Sequence, residues 1–311
     1  MRNYSLDTLK FVCAIFVIFI HTPQPEIWEI YITPLIRCAV PIFFMISGYF
    51  TYGKKNLIHT ILKRIIHLLT IFGIVFLLYF SFSLISNGKD SLEHLSILFS
   101  YNFILLNSPP YCMHLWYIAA YIYVLLIMLI VEKYNLYKWL FLLTPILLLT
   151  ALVIGKYSGI ILGNRFPTNY TRNFLLTGLP FFALGMIVKE AKQLPNVYIT
   201  GVGCIVFYIL GVIEVINIKN LGDWYATTIF LSLSIFILFI NIKQGKDNIL
   251  SKVGREDSLY MYLLHFIIAT GITILCNTFT YLPYLSALIT LSLTLIFIYI
   301  LRKLKIIGKI I

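Results

Sequence analysis

Residues 5–22 read SLDTLKFVCAIFVIFIHT. An unbroken apolar run from Phe11 to Ile20 follows Asp7 and Lys10 and ends at His21. At 100° per residue, the eleven steps from Lys10 to His21 are three turns plus about 20°. The two side chains therefore share one helix face, about 16 Å apart along the axis. A titratable stripe is costly against lipid, so this face is expected to line a cavity inside a helix bundle and suggests chemistry or transport across the membrane. The segment has no small-residue cleavage site and carries two charges, which reads as a retained span rather than a signal peptide.

The same pattern repeats outward. The chain has 311 residues, of which 60% are hydrophobic and 12% charged. Repeated apolar runs near 20 residues at that composition predict an all-α, polytopic membrane helix bundle. About ten spans are expected, near 5–22, 31–51, 66–86, 114–131, 139–155, 173–189, 198–217, 224–242, 258–277 and 284–301, within a single membrane domain over 1–311. With the N-terminus inside, the inner loops and tails hold Arg2, Lys10, Lys54, Lys55, Lys63, Arg64, Lys133, Lys138, Lys189, Lys192, Lys243, Lys246, Lys252, Arg255, Arg302, Lys303, Lys305 and Lys309. The outer side keeps Arg37, Lys89, Lys156, Arg165, Arg172 and Lys219. This asymmetry predicts cytoplasmic N- and C-termini. It also accounts for the net charge of +12 without a nucleic-acid partner, and it lets basic loops touch anionic headgroups.

The five cysteines (Cys13, Cys38, Cys112, Cys204 and Cys276) form no CxxC pair and are expected to be free thiols. No His/Cys cluster has metal-ligand spacing, so no metal is expected. Two outer loops stand out. One, about 87–113, carries Asn87-Gly88 and Pro109-Pro110 and is long enough to cap a cavity. The other, about 156–172, is basic on the side where basic residues are disfavoured. Its Arg165 and Arg172 are expected either to meet an anionic group or a sugar, or to touch lipid phosphates. Polar groups inside spans (Arg37, Ser47-Gly48, Tyr117, Tyr121, Tyr123, Glu214, Tyr260, Tyr262 and His265) are expected to face protein or water. Ser47-Gly48 has a packing reading as a close helix contact beside its catalytic one. Asp7 is expected to pair with Lys10 at i,i+3.

In order and spacing, these residues resemble the acyltransferase-3 family of bacterial integral-membrane O-acyltransferases. The resemblance begins with Leu6-Asp7-Thr8-Leu9-Lys10, ten intervening residues and His21. It continues through Arg37-Cys38-Ala39-Val40-Pro41-Ile42-Phe43-Phe44-Met45-Ile46-Ser47-Gly48, similar to the family's VPxFFxxSG stretch. Lys63-Arg64-Ile65-Ile66-His67 is placed like its RxxxR motif. His114-Leu115-Trp116-Tyr117, Arg172-Asn173-Phe174-Leu175 and Ser258 to His265 follow in family order. The resemblance spans the whole chain. Lys10 stands where the family has arginine, which keeps the charge and loses the bidentate fork. Lys63 and His67 stand where RxxxR has arginines.

The resemblance implies an acyl-CoA-dependent O-acyltransferase. It would carry acetyl or another short acyl group to a hydroxyl of a cell-envelope or exported polysaccharide, in a bacterial plasma membrane. His21 is then the general base, a role that suits an imidazole near neutral pH. Lys10, Arg37, Ser47 and Arg172 are the further catalytic candidates, the last three as oxyanion stabilisers. Cytoplasmic CoA phosphates need cations, for which Lys10, Lys63, Arg64 and His67 are the candidates. His114, Trp116, Tyr117, Arg165, Tyr262 and His265 are candidates for the glycan acceptor. The 16 Å from Lys10 to His21 is comparable to an extended pantetheine arm. The competing reading is a transporter or flippase for a glycan intermediate or small polar solute. A transporter often shows two matching halves, and none is visible here.

Overall fold

A computed structural model describes residues 3–87, 94–218, 224–242 and 246–308. Arg2, Gly88, Lys89, Lys219, Lys243 and Lys309, used in the charge and loop readings, lie outside the described residues. Among the described residues every regular element is helical. Twelve main helices run in order: α1 Tyr4–Ile20, α2 Glu26–Ile36, α3 Ala39–Thr51, α4 Leu57–Asn87, α5 Trp116–Lys133, α6 Tyr137–Ile154, α7 Leu179–Glu190, α8 Val197–Asn217, α9 Ala226–Asn241, α10 Ile249–Glu256, α11 Ser258–Cys276 and α12 Ser286–Lys303. Short helical turns fill parts of the two outer loops.

Seven helical segments are long and apolar enough to cross a membrane: Glu26–Thr51 (α2 with α3), Leu57–Ile85, Met113–Lys133, Tyr137–Ile154, Val197–Asn217, Ser258–Cys276 and Ser286–Lys303. The chain is a multi-pass membrane protein. The other three expected spans are helical but shorter. α1 has 17 residues and α9 has 16. The sixth is a π-helical turn, Phe174–Gly178, running into the 12 residues of α7. Span 31–51 is broken. Pro34 lies inside α2, which ends at Ile36, and Arg37 and Cys38 turn before α3 begins. α4 starts nine residues before the expected 66, because Asn56 (φ 54°) turns the chain and no Gly or Pro follows until Gly73. Lys63, Arg64 and His67 therefore sit on a helix and not in a loop.

Helix starts are set largely by asparagine. Asn3 accepts from Leu6 N at 3.0 Å, and Asn196 from Ile199 N at 2.9 Å. Asn248 and Ser251 form a reciprocal capping box at α10. Glu214, near the end of α8, accepts from Ala226 N and Thr227 N, both at 3.1 Å, so its carboxylate caps α9 across the hairpin. A negative charge at a helix N-terminus satisfies orphan N–H donors and meets the positive end of the dipole. That explains a carboxylate in an otherwise apolar helix.

The described residues fall into two compact units. The first takes its residues from Met1–Phe43, Gln193–Asn220 and Trp224–Ile311, the second from Phe44–Lys192. In the first unit α1 packs against α2, α9, α10, α11 and α12, and α8–α9 and α11–α12 pair as hairpins. α10 approaches so closely that a Cβ on Gly254 would lie 1.8 Å from Asp7 O. In the second unit α4 pairs with α5, and α6 with α7. The C-terminal part of α3 crosses α7 at backbone contact. A Cβ on Gly48 would lie 1.9 Å from Phe182 O, and one on Gly185 2.0 Å from Met45 O. Small residues at such crossings let membrane helices approach and gain dispersion contact. Large apolar residues such as Ile66 and Ile74 on α4, and Ile199, Val202 and Ile205 on α8, remain exposed, as lipid-facing positions do.

Candidate functional site

In the first unit α1 terminates at His21 because Pro23 and Pro25 cannot continue it. One of the last carbonyls is satisfied twice locally: His21 N and Thr22 Oγ1 both donate to Ile18 O, at 3.1 and 3.0 Å. The turn is pinned from α12, whose fully buried Ser286 hydroxyl donates to Pro23 O at 2.6 Å. His21, half-buried, presents its ring to α11. It lies 5.2 Å from the ring of His265, tilted by 45°, and edge-on to Phe266 at 5.5 Å. His265 is fully buried, with Nδ1 2.9 Å from Met261 O one turn back. A carbonyl only accepts, so Nδ1 carries a proton. Buried Tyr262 stands 6.3 Å from His265, centroid to centroid. His21, Tyr262 and His265 are thus brought together around one helix end.

Three turns earlier on the same helix, Lys10 Nζ lies 2.9 Å from Asp7 Oδ1. Asp7 is buried at the α10 contact. Arg37 caps the C-terminus of α2 within electrostatic reach of the Tyr225 phenol.

The remaining candidates belong to the second unit. Ser47 O accepts from Thr51 Oγ1 at 2.6 Å, and Arg64 donates to that hydroxyl at 2.7 Å, which places a guanidinium at the C-terminal end of α3. Lys63 and His67 lie exposed one turn apart on α4. Buried His114 lies 4.9 Å from the Tyr79 ring, and Tyr117 4.7 Å from Phe44. The Arg172 guanidinium sits 6.0 Å over the Trp116 ring, at the outer edge of cation–π range. Arg165 is exposed, its stem beside Gly159. The five-residue catalytic set is therefore divided, with His21, Lys10 and Arg37 in one unit and Ser47 and Arg172 in the other.

Sequence reasoning gave no role of their own to two asparagines that shape the second unit, Asn107 and, within a quoted motif, Asn173. Asn173 Oδ1 accepts from Leu175 N and Leu176 N, while its amide donates to Asn169 O and Tyr170 O. Asn107, fully buried at φ 54°, accepts from Phe174 N at 2.9 Å. Together they aim the loop that carries Arg172. The available signal was the asparagine itself, which tolerates a left-handed backbone and caps helices. The five cysteines are free thiols, and burial pushes Cys112 up to about 12. Among the described residues no group of three His, Cys, Asp or Glu could hold a metal.

Comparison with known proteins adds a family. The acyltransferase-3 family model, described as "Acyltransferase domain", matches residues 3–303. An "Amino-acid racemase" of Enterococcus faecalis is 27% identical over 331 aligned positions, covering 97% of this chain and 46% of the relative. A "Serine/alanine racemase" of Enterococcus gallinarum is 26% identical, covering 98% and 47%. The chain thus spans about half the length of these curated relatives. No solved structure matches the chain.

Proposed function

Because the chain belongs to the acyltransferase-3 family, we propose that it transfers an acyl group, acetyl foremost, from cytoplasmic acyl-CoA to a hydroxyl of a cell-envelope or exported polysaccharide, with His21 as general base. One observation carries this reading. His21 closes α1 with its ring against the buried His265, on the same helix as the Lys10–Asp7 ion pair. His21 takes the acceptor hydroxyl proton as the oxygen attacks the thioester carbonyl. The tetrahedral oxyanion collapses, the C–S bond breaks, and the CoA thiolate takes the proton back. His265, its tautomer fixed by Met261 O, holds the His21 ring in place. Arg37, Ser47 and Arg172 are candidates for meeting the oxyanion. Lys10, Lys63, Arg64 and His67 would meet CoA phosphates. His114, Trp116, Tyr117, Arg165, Tyr262 and His265 would meet the glycan. The placement is the bacterial plasma membrane, with ten spans once the three shorter helices are counted, and both termini cytoplasmic.

The test is acyl-CoA turnover by protein in lipid with a mixed glycan pool, for the parent and His21→Ala. Glycan acylation and CoA release in the parent, lost in the variant, are expected. A parent that acylates nothing yet takes up solute would replace this reading with a transporter. One finding favours keeping that second reading in the assay: the relatives named as racemases act on amino acids. Serine and alanine therefore belong in the uptake panel, and serine among the acceptors.

A further inference from the structure

The second unit carries a cleft of about 510 Å³ where α3, α6 and α7 end or begin. That volume lies within the range of small-ligand sites, which combine aromatic walls with a few placed polar groups. Its walls are three rings. Tyr52 lies edge-on to Tyr137 at 5.3 Å and 6.1 Å from Phe141, while Tyr137 and Phe141 are 6.4 Å apart. Tyr137 is held by a hydrogen bond to Glu132. The rim supplies Glu190, which interacts with the Tyr52 phenol, and Asn135, held at φ 52° in the turn before α6.

Cations gather at the same end. Lys138 lines the cleft itself. Arg64 is bonded to Thr51, the residue before Tyr52. Burial and the Arg64 charge hold the Lys54 ammonium below its ordinary range.

An aromatic wall, a carboxylate and an amide serve a base or a sugar alike, and the nearby cations favour a phosphorylated ligand such as a nucleotide. Bases stack on aromatic faces regardless of sequence. The exocyclic N6 amino group of adenine donates to a carboxylate, and its ring nitrogens accept from an amide N–H. Guanine also offers a carboxylate donors, its N1–H and its N2 amino group, so Glu190 accepts either purine and the acyl-CoA reading selects adenine.

We propose that this cleft holds the adenine ring of the acyl-CoA donor, with Glu190 and Asn135 reading its edge and Lys138, Lys54 and Arg64 meeting its phosphates. The proposal rests on the acyl-CoA reading above and adds where the nucleotide end binds.

The test uses the full chain in lipid, with adenosine 3′,5′-bisphosphate as probe in competition with acyl-CoA. The parent is expected to bind the probe. Tyr137→Ala should weaken binding about 5- to 150-fold, the range of one base stacked on one ring. Tyr137→Phe, which keeps the ring, should restore it. Glu190→Gln, which removes the carboxylate partner of N6, should weaken binding of the adenosine bisphosphate. If Tyr137→Ala does not fold, Lys138→Glu at an exposed position carries the same test. Variants that bind the probe like the parent, while acyl-CoA is still used, overturn the cleft and leave the donor reading standing. A parent that neither binds the probe nor uses acyl-CoA overturns both. Occupation by phosphatidylethanolamine vesicles without nucleotide competition overturns the proposal in favour of a lipid headgroup.

Discussion

Gly48→Ala tests the α3–α7 crossing, and its size follows from the geometry. The new Cβ would lie 1.9 Å from Phe182 O, whereas ordinary contact begins at 3.4 Å, so the helices must part by about 1.5 Å. The obstructing atoms are backbone, and no rotamer change relieves them. Overpacking costs about 1–3 kcal/mol and occasionally more, and a backbone-on-backbone clash belongs at the upper end. Parting the helices also strips dispersion contact along the whole crossing. Gly185→Ala meets Met45 O at 2.0 Å from the other side and should cost about as much. One separation relieves both clashes, so the double variant should cost less than the sum. Gly73→Ala on α4 meets nothing within 4 Å and is expected to gain about 0.5–1 kcal/mol from helix propensity. The assay is equilibrium unfolding in mixed micelles, followed by tryptophan emission. Gly48→Ala and Gly185→Ala unfolding at the same midpoint as Gly73→Ala would refute the crossing.

Other outcomes follow from single contacts. Glu214→Gln keeps one of the two accepting oxygens, replaces the other by an amide donor and removes the charge from the start of α9. It should cost about 1–3 kcal/mol, read in the same unfolding assay. Asn173→Ala strips two capped N–H groups and should cost about 0.5–2 kcal/mol, with faster hydrogen exchange at Leu175 and Leu176. His21→Ala should lower acyl transfer by about 10²–10⁴-fold, and His265→Leu by less, measured as kcat at saturating donor. Because burial raises Cys112 to about 12, its thiol stays protonated at neutral pH. Iodoacetamide labelling read by mass spectrometry should therefore leave it unmodified at neutral pH, and the thiolate fraction should rise only as pH climbs toward that value.

Fold class was legible because lipid imposes one rule over every span, that backbone groups be satisfied within a helix. The Asp7–Lys10 pair was legible for a similar reason, since i,i+3 contact depends on helix geometry alone. The break at Arg37–Cys38 was not, because hydropathy averages over it; Pro34 was the local sign. The early start of α4 was missed because lysine and arginine are good helix formers, and charge counting reads them as loop. His265 was visible as a polar residue in a span, yet its pairing with His21 joins residues 244 positions apart, counting 265 minus 21, which periodicity within one helix cannot reach. The division of the catalytic candidates between two compact units was hidden for the same reason: it depends on which helices pack together.

The π-helical turn at Phe174–Gly178 has a consequence for how this region tolerates change. Such a turn is an α-helix that has accepted one extra residue. Deleting Leu175 would remove that extra residue and let the segment relax to regular α geometry, with α7 and the residues before it in nearly their old phase. The wide bond from Gly178 N to Asn173 O would give way to ordinary helical bonds, while Arg172 would keep its aim toward Trp116. In this segment a one-residue deletion would thus be a milder edit than in a regular helix, where it turns everything on one side by about 100°.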